Sequence, residues 1–257
     1  MNENSFDEKR IAEGYAKDRP YLHGQVIELL GKEQVTQHFQ RGLDVGCGAG
    51  LSTKALKSIC DKVTGTDISM EMVKAAQSIY DDSAYEFLQS RAEQIIAPAD
   101  TFDIVTASGM INWVDRAAFL DALKVMMRAQ GVLLIYDFWI SDQMRGCDAY
   151  TDWYNREYLI QFPKPPRREE IWGDEDIAPY GFGMEKQITF QITCDFSLEA
   201  FIRFMMIQSN VNVQITEGKK TQEDIYRWFE ETLAPVFGDR EQTLVFQGYA
   251  WFLRKLL

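Results

Sequence analysis

Apolar and polar positions alternate along this chain in two rhythms. Short apolar runs read as buried strands, and the segments between them repeat their apolar residues at helical spacing. Gly42–Gly46 is such a run, ending in glycines. Leu51–Ile59 follows as a helix, with Leu51, Ala55, Leu56 and Ile59 on one face. Lys62–Asp67 reads as a second strand and Met70–Tyr80 as a helix. Ala84–Gln89, Phe102–Ser108 and Gly131–Phe138 complete five strands, with a helix over Ala117–Arg128. Ahead of them, residues 5–38 carry a helical pattern. Strands alternating with helices at this spacing predict parallel βαβ units with right-handed crossovers.

After Phe138 the rhythm breaks. Residues 140–183 hold four of the seven prolines together with Trp153, Tyr154, Tyr158, Phe162 and Trp172. So aromatic a segment predicts an ordered cover over the carboxyl edge of the sheet. Met184–Cys194 and Thr243–Leu253 read as two further strands, Ser197–Ser209 and Gln222–Val236 as helices. The fold class is therefore α/β: a doubly wound, mostly parallel, seven-stranded sheet with a helical and aromatic cover. Three stretches organise it: 1–139 as N-terminal helices and ligand-binding core, 140–183 as the cover, and 184–257 completing the sheet.

Charge narrows the partners. The net charge is −12, and nucleic-acid binding needs a basic surface to displace counterions. The one basic run, Lys164–Arg168, is interrupted by Pro165 and Pro166 and followed by two glutamates. It reads as a solvated loop, so no nucleic-acid partner is expected. No stretch approaches the length of a membrane span and the N-terminus lacks a signal-peptide core. A cytoplasmic protein acting as monomer or homodimer is expected, without a membrane partner. Four scattered cysteines and two histidines argue against a zinc site or a disulfide framework.

The strongest chemical signal is Asp44-Val-Gly-Cys-Gly-Ala-Gly50, between the first strand and its helix. Glycines here let backbone approach a ligand closely at a helix N-terminus. The spacing is G-x-G-x-G. A dinucleotide fingerprint would need glycine at residue 51 or 53, where Leu51 and Thr53 stand, and a phosphate loop would end in Lys-Ser/Thr. Asp67 ends the second strand about 20 residues beyond the glycines, where an acid meets ribose hydroxyls in doubly wound nucleoside sites. Ser69 is available as the helix cap in its place.

Asp44–Gly50, Thr66–Met72, Ser90–Glu93 and Ala107–Trp113, in that order, resemble the class I S-adenosylmethionine-dependent methyltransferases. Tyr15-x-x-x-Arg19-Pro20 resembles the small-molecule branch of that family. The resemblance covers roughly residues 10–140 and implies a Rossmann-like methyltransferase fold with S-adenosylmethionine as cofactor. Carried over residue by residue, it implies that Asp44 positions the loop and approaches the methionine amino group. Gly46, Cys47 and Gly48 lie against the cofactor, Asp67 holds the ribose and Ile68 packs on adenine. Arg91, Ala92 and Glu93 meet the adenine edge; Arg91 stands where many relatives carry Asp, which leaves that contact to backbone. Ser108 and Gly109 lie near the methionine carboxylate and sulfonium, and Tyr15 and Arg19 close over the cofactor. Trp113 and Trp139 wall the pocket of the methyl acceptor.

Transfer from a sulfonium needs alignment more than acid–base machinery. Where a base is needed, the candidates are His23, Tyr136 and Asp137. The comparison with trans-aconitate methyltransferase-like proteins implies a small, carboxylated acceptor, with Arg145, Arg156, Arg167 and Arg168 of the cover available to pair with it. Two rival readings stand beside this one: a nucleotide-cofactor oxidoreductase, and a non-catalytic S-adenosylmethionine-binding protein.

Overall fold

A computed structural model describes residues 9–33, 38–164 and 171–256 of the 257-residue chain. Two helices open it, α1 (Lys9–Asp18) and α2 (His23–Glu33). The helical pattern expected over 5–38 is thus interrupted at Arg19–Leu22, because Pro20 disfavours helical backbone at the residue before it; residues 5–8 and 34–37 lie outside the described residues. The core then alternates β1 (Phe39–Val45), α3 (Leu51–Lys57), β2 (Cys60–Asp67), α4 (Met70–Ile79), β3 (Tyr85–Gln89), β4 (Phe102–Ser108), α5 (Arg116–Met126) and β5 (Met127–Met144). Asp115 caps α5 by accepting the Ala118 N–H at 2.9 Å, and Ser69 caps α4 by accepting that of Met72 at 3.3 Å.

The second half comprises α6 (Asp148–Trp153), a π-helical turn at Tyr154–Tyr158, α7 (Leu159–Gln161), α8 (Asp174–Ile177), β6 (Phe182–Phe196), α9 (Leu198–Met206), α10 (Ser209–Thr216), α11 (Gln222–Phe237) and β7 (Gln242–Lys255). The seven strands form one sheet in the order β3-β2-β1-β4-β5-β7-β6. Strands β1 to β5 are parallel, while β7 runs antiparallel between β5 and β6. The doubly wound, mostly parallel sheet is the architecture expected. Its order reverses between β1 and β4, where the connections leave to opposite faces and open a crevice at the carboxyl ends.

The aromatic segment is differently employed from the cover expected over 140–183. Strand β5 runs on to Met144, paired with β7 as far as Leu244, so the segment starts later. Trp153, Tyr158 and Phe162 then stack among themselves and against Phe229 of α11. They fill the core on one face of the sheet, and Trp172 packs on Trp251 on the other. Burying that much aromatic surface against α11 is worth more than exposing it over a cleft. One helix escaped the sequence pattern: α10, Ser-Asn-Val-Asn-Val-Gln-Ile-Thr, is rich in polar and β-branched residues with low helix propensity. The helix expected over Ser197–Ser209 ends at Met206, and Gln208 turns extended before α10 begins.

Candidate functional site

At the crevice the chain leaves β1 through Gly46, Cys47 and Gly48. The N–H groups of Gly46 and Cys47 both donate to the Thr66 carbonyl, at 2.8 and 2.9 Å. Gly46 has φ +70°, and a Cβ there would lie 2.8 Å from Met110 Cγ. Gly48, at φ +52°, faces open space instead, a cradle that a side chain would fill. Its N–H donates to Asp67 Oδ2 at 2.8 Å, and the Ser69 N–H donates to Asp67 Oδ1 at 2.9 Å. Backbone therefore holds the Asp67 carboxylate at the end of β2. Ser69 supplies the cap of α4, the alternative duty considered for Asp67.

These groups line a cavity of about 540 Å3, within the range of small-molecule sites. Gly46, Cys47, Gly48, Asp67 and Ile68 are on its wall, with Ile68 half exposed. So are Arg91, Ala92 and Glu93 of the turn after β3. Glu93 also accepts the Asp115 N–H at 3.0 Å, which ties that turn to the start of α5. Ser108 and Gly109 follow β4, and the Gly109 N–H donates to the Tyr136 carbonyl at 2.9 Å. Tyr15 and Arg19 come from the first helix, with the Arg19 guanidinium stacked 4.6 Å from the Tyr15 ring centroid. His23, Trp113, Asp137 and Trp139 line the cavity as well.

Two predicted residues lie elsewhere. Asp44 is fully buried beneath the glycine turn and does not reach the cavity wall. Its Oδ2 accepts the hydroxyls of Ser52 (2.6 Å) and Thr53 (2.7 Å), and its Oδ1 that of Thr106 (2.8 Å). It thus fastens α3 and β4 to the turn. Loss of water raises its pKa to about 6, against the pull of those three hydroxyls. Tyr136 is likewise buried in the core. Its hydroxyl and His23 Nδ1 share a 2.8 Å hydrogen bond, so it supports His23 from behind. Burial lowers the His23 pKa to about 3 and holds the ring neutral.

The rest of the wall was not anticipated. Phe204, Gln208 and Ser209 come from the α9–α10 junction and Phe246 from β7. Of the cover expected over 140–183, Ile140 is on the wall and the other described residues are not. Arg145 lies in a separate surface groove, Arg156 is exposed beside Asp152, and Arg167 and Arg168 fall outside the described residues. No cluster of metal-binding side chains occurs among the described residues, and no described helix is long and apolar enough to cross a membrane.

Comparison with known proteins bears on this arrangement. Residues 43–135 match the methyltransferase domain family. A Dictyostelium discoideum protein named as a methyltransferase is 23% identical over 237 residues, covering 90% of this chain and 87% of its own. The uncharacterised methyltransferase YcgJ of Bacillus subtilis is 32% identical over 160 residues, 60% of this chain and 62% of its own. Among solved structures, an Anaeromyxobacter dehalogenans protein named as a type II methyltransferase shares the fold, with a TM-score of 0.67 at 18% identity over 91% of this chain and 96% of that one. These likenesses show a methyltransferase domain over residues 43–135, in a chain whose strand order and overall fold are those of the solved methyltransferase structure.

Proposed function

We propose that the cavity binds S-adenosylmethionine and directs its methyl group to a small-molecule acceptor. One observation carries the reading: the Gly46–Gly48 turn and Asp67 meet at the topological switch point, joined by the Gly48 N–H. When bound, S-adenosylmethionine supplies a methyl on a sulfonium, which leaves readily. The chain has to bind, orient and exclude water.

The residues fit that group. Carboxylate oxygens each accept more than one hydrogen bond, so Asp67 can take ribose hydroxyls beside its backbone donors. Ile68 offers an apolar plate for the adenine, flanked by the 91–93 turn. Cys47, Gly48 and Gly109 give backbone access for the methionine part, and the Arg19 guanidinium suits its carboxylate. Rings of Trp113 and Trp139 face the cavity, where aromatic faces favour a cation. The enclosed size of the cavity supports a small acceptor over a macromolecular one.

The experiment is a thermal shift with S-adenosylhomocysteine against NADH at equal concentration. A ligand confined to the folded state adds about 2.7 kcal/mol at a hundredfold excess over Kd. A rise in Tm with S-adenosylhomocysteine alone is expected. A rise with NADH alone would sink the proposal.

A further inference from the structure

His23 opens α2 and lines the cavity, yet only 6% of it is exposed. Its ring is fixed on two sides. Phe138 packs edge-on with centroids 4.9 Å apart, and the Tyr136 hydroxyl lies 2.8 Å from Nδ1. The other ring nitrogen, Nε2, has no hydrogen-bond partner among the described residues. Two buried side-chain atoms among those residues are sealed off unpaired, Thr66 Oγ1 and Trp172 Nε1, and His23 Nε2 is not one of them. It therefore opens toward the cavity that the residue lines.

Which ring nitrogen holds the proton follows from the hydrogen bond that the other one makes. A phenol is a stronger acid than a neutral imidazole, and an imidazole nitrogen is a stronger base than a phenol oxygen. The buried Tyr136 hydroxyl needs an acceptor for its own hydrogen, and Ser108 stands beside its oxygen as a donor. Tyr136 therefore donates to Nδ1, and the ring proton sits on Nε2 as an N–H facing the cavity. Burial, and after it the Arg19 charge, keeps the ring from gaining a second proton.

Resting on the proposed function, we infer that His23 is a binding residue whose Nε2–H donates to a carboxylate oxygen of the bound reactants, with Tyr136 as its positioning residue. An N–H donor near a fixed cation suits an oxygen that carries negative charge, and the cation acting on His23 is Arg19, on the same cavity wall. Arg19 supplies attraction, while the pinned ring supplies direction by fixing where the oxygen lies. That carboxylate belongs to the methionine part of the donor or to the acceptor, and both present the same chemistry. A ring with its proton on the cavity side has no lone pair there, so His23 is not the base of the reaction.

Protein labelled with 15N-histidine tests this directly, because the chain holds two histidines, His23 and His38. Long-range 15N–1H spectra report which ring nitrogen carries the proton, and His23→Gln assigns the signals. A protonated Nε2 and a bare Nδ1 are expected, with Tyr136→Phe losing that bias. Calorimetry then compares S-adenosylhomocysteine with its decarboxylated analogue, and titrates phenylacetate into protein saturated with S-adenosylhomocysteine. His23→Leu should weaken binding of a carboxylate by about tenfold or more, the scale of a hydrogen bond to a charged group. His23→Gln, which keeps an N–H donor, should restore part of it. A loss for S-adenosylhomocysteine that its decarboxylated analogue escapes assigns the methionine carboxylate; a loss for phenylacetate alone assigns the acceptor. A proton on Nδ1 would overturn the inference. So would equal affinities in wild type and His23→Leu, or equal losses for S-adenosylhomocysteine and its decarboxylated analogue. Failure of S-adenosylhomocysteine to bind the wild-type protein would overturn the proposed function, and the inference with it.

Discussion

The two halves of the cavity are built by different means. The half proposed for the donor is organised by strand-end turns (the glycine turn after β1, the turn after β3 and the end of β4) with the Asp67 carboxylate, and Tyr15 and Arg19 join them from the first helix. These segments lie close in sequence and are aligned by neighbouring strands. The acceptor half is a set of side chains gathered from α2, the stretch after β4, β5, the α9–α10 junction and β7. A backbone site tolerates little change in conformation but much in side chain. A side-chain site can be rewritten one residue at a time, as suits a surface that selects among acceptors.

That contrast can be broken from below. Asp44 supports the donor half as a buried carboxylate whose pKa is raised from 3.8 to about 6. Between these values the folded state holds the proton and the unfolded state releases it, so stability falls as pH rises through the interval. The shift corresponds to about 3 kcal/mol. Urea unfolding of the wild type and Asp44→Asn from pH 4 to 7 should show this slope only in the wild type. A slope shared by both would locate the titration elsewhere.

Asp67→Asn should weaken S-adenosylhomocysteine binding by about 10- to 100-fold, the worth of hydrogen bonds to a charged group. Calorimetry on the variant reads the loss. Gly46→Ala should cost about 1–2 kcal/mol for a side chain at positive φ, and the contact with Met110 should lower donor affinity further. A fully stable Gly46→Ala with unchanged donor affinity would mean that the turn adapts freely.

The smallest expected effect sharpens the comparison from the other side. The Tyr158 hydroxyl donates to Asn210 Oδ1 at 3.1 Å, and Asn210 Nδ2 donates to the Phe162 carbonyl. This buried link holds α10, and with it Gln208 and Ser209 at the cavity wall. Tyr158→Phe should lose about 1 kcal/mol of stability. It should raise KM for the methyl acceptor without changing the affinity for S-adenosylhomocysteine. The aromatic segment thus reaches the site only indirectly, as a support for α9 and α10.

The sequence alone determined the parallel core and the turns at its strand ends that line the cavity. Apolar runs of strand length ending in Gly46, Asp67 and Ser108 are local signals, and a strand end in a doubly wound sheet is where a ligand binds. Only the tertiary structure decided three other matters. Asp44 sits in the same motif as Gly46, yet burial among three hydroxyls makes it a fastener below the cavity. Trp153, Tyr158 and Phe162 were recognisable as ordered aromatics, but packing against α11 sends them to the core. Phe204, Gln208 and Phe246 carry no local signature. They meet because α9 ends and β7 inserts between β5 and β6, and pairing at that sequence separation leaves no trace in a window of ten residues.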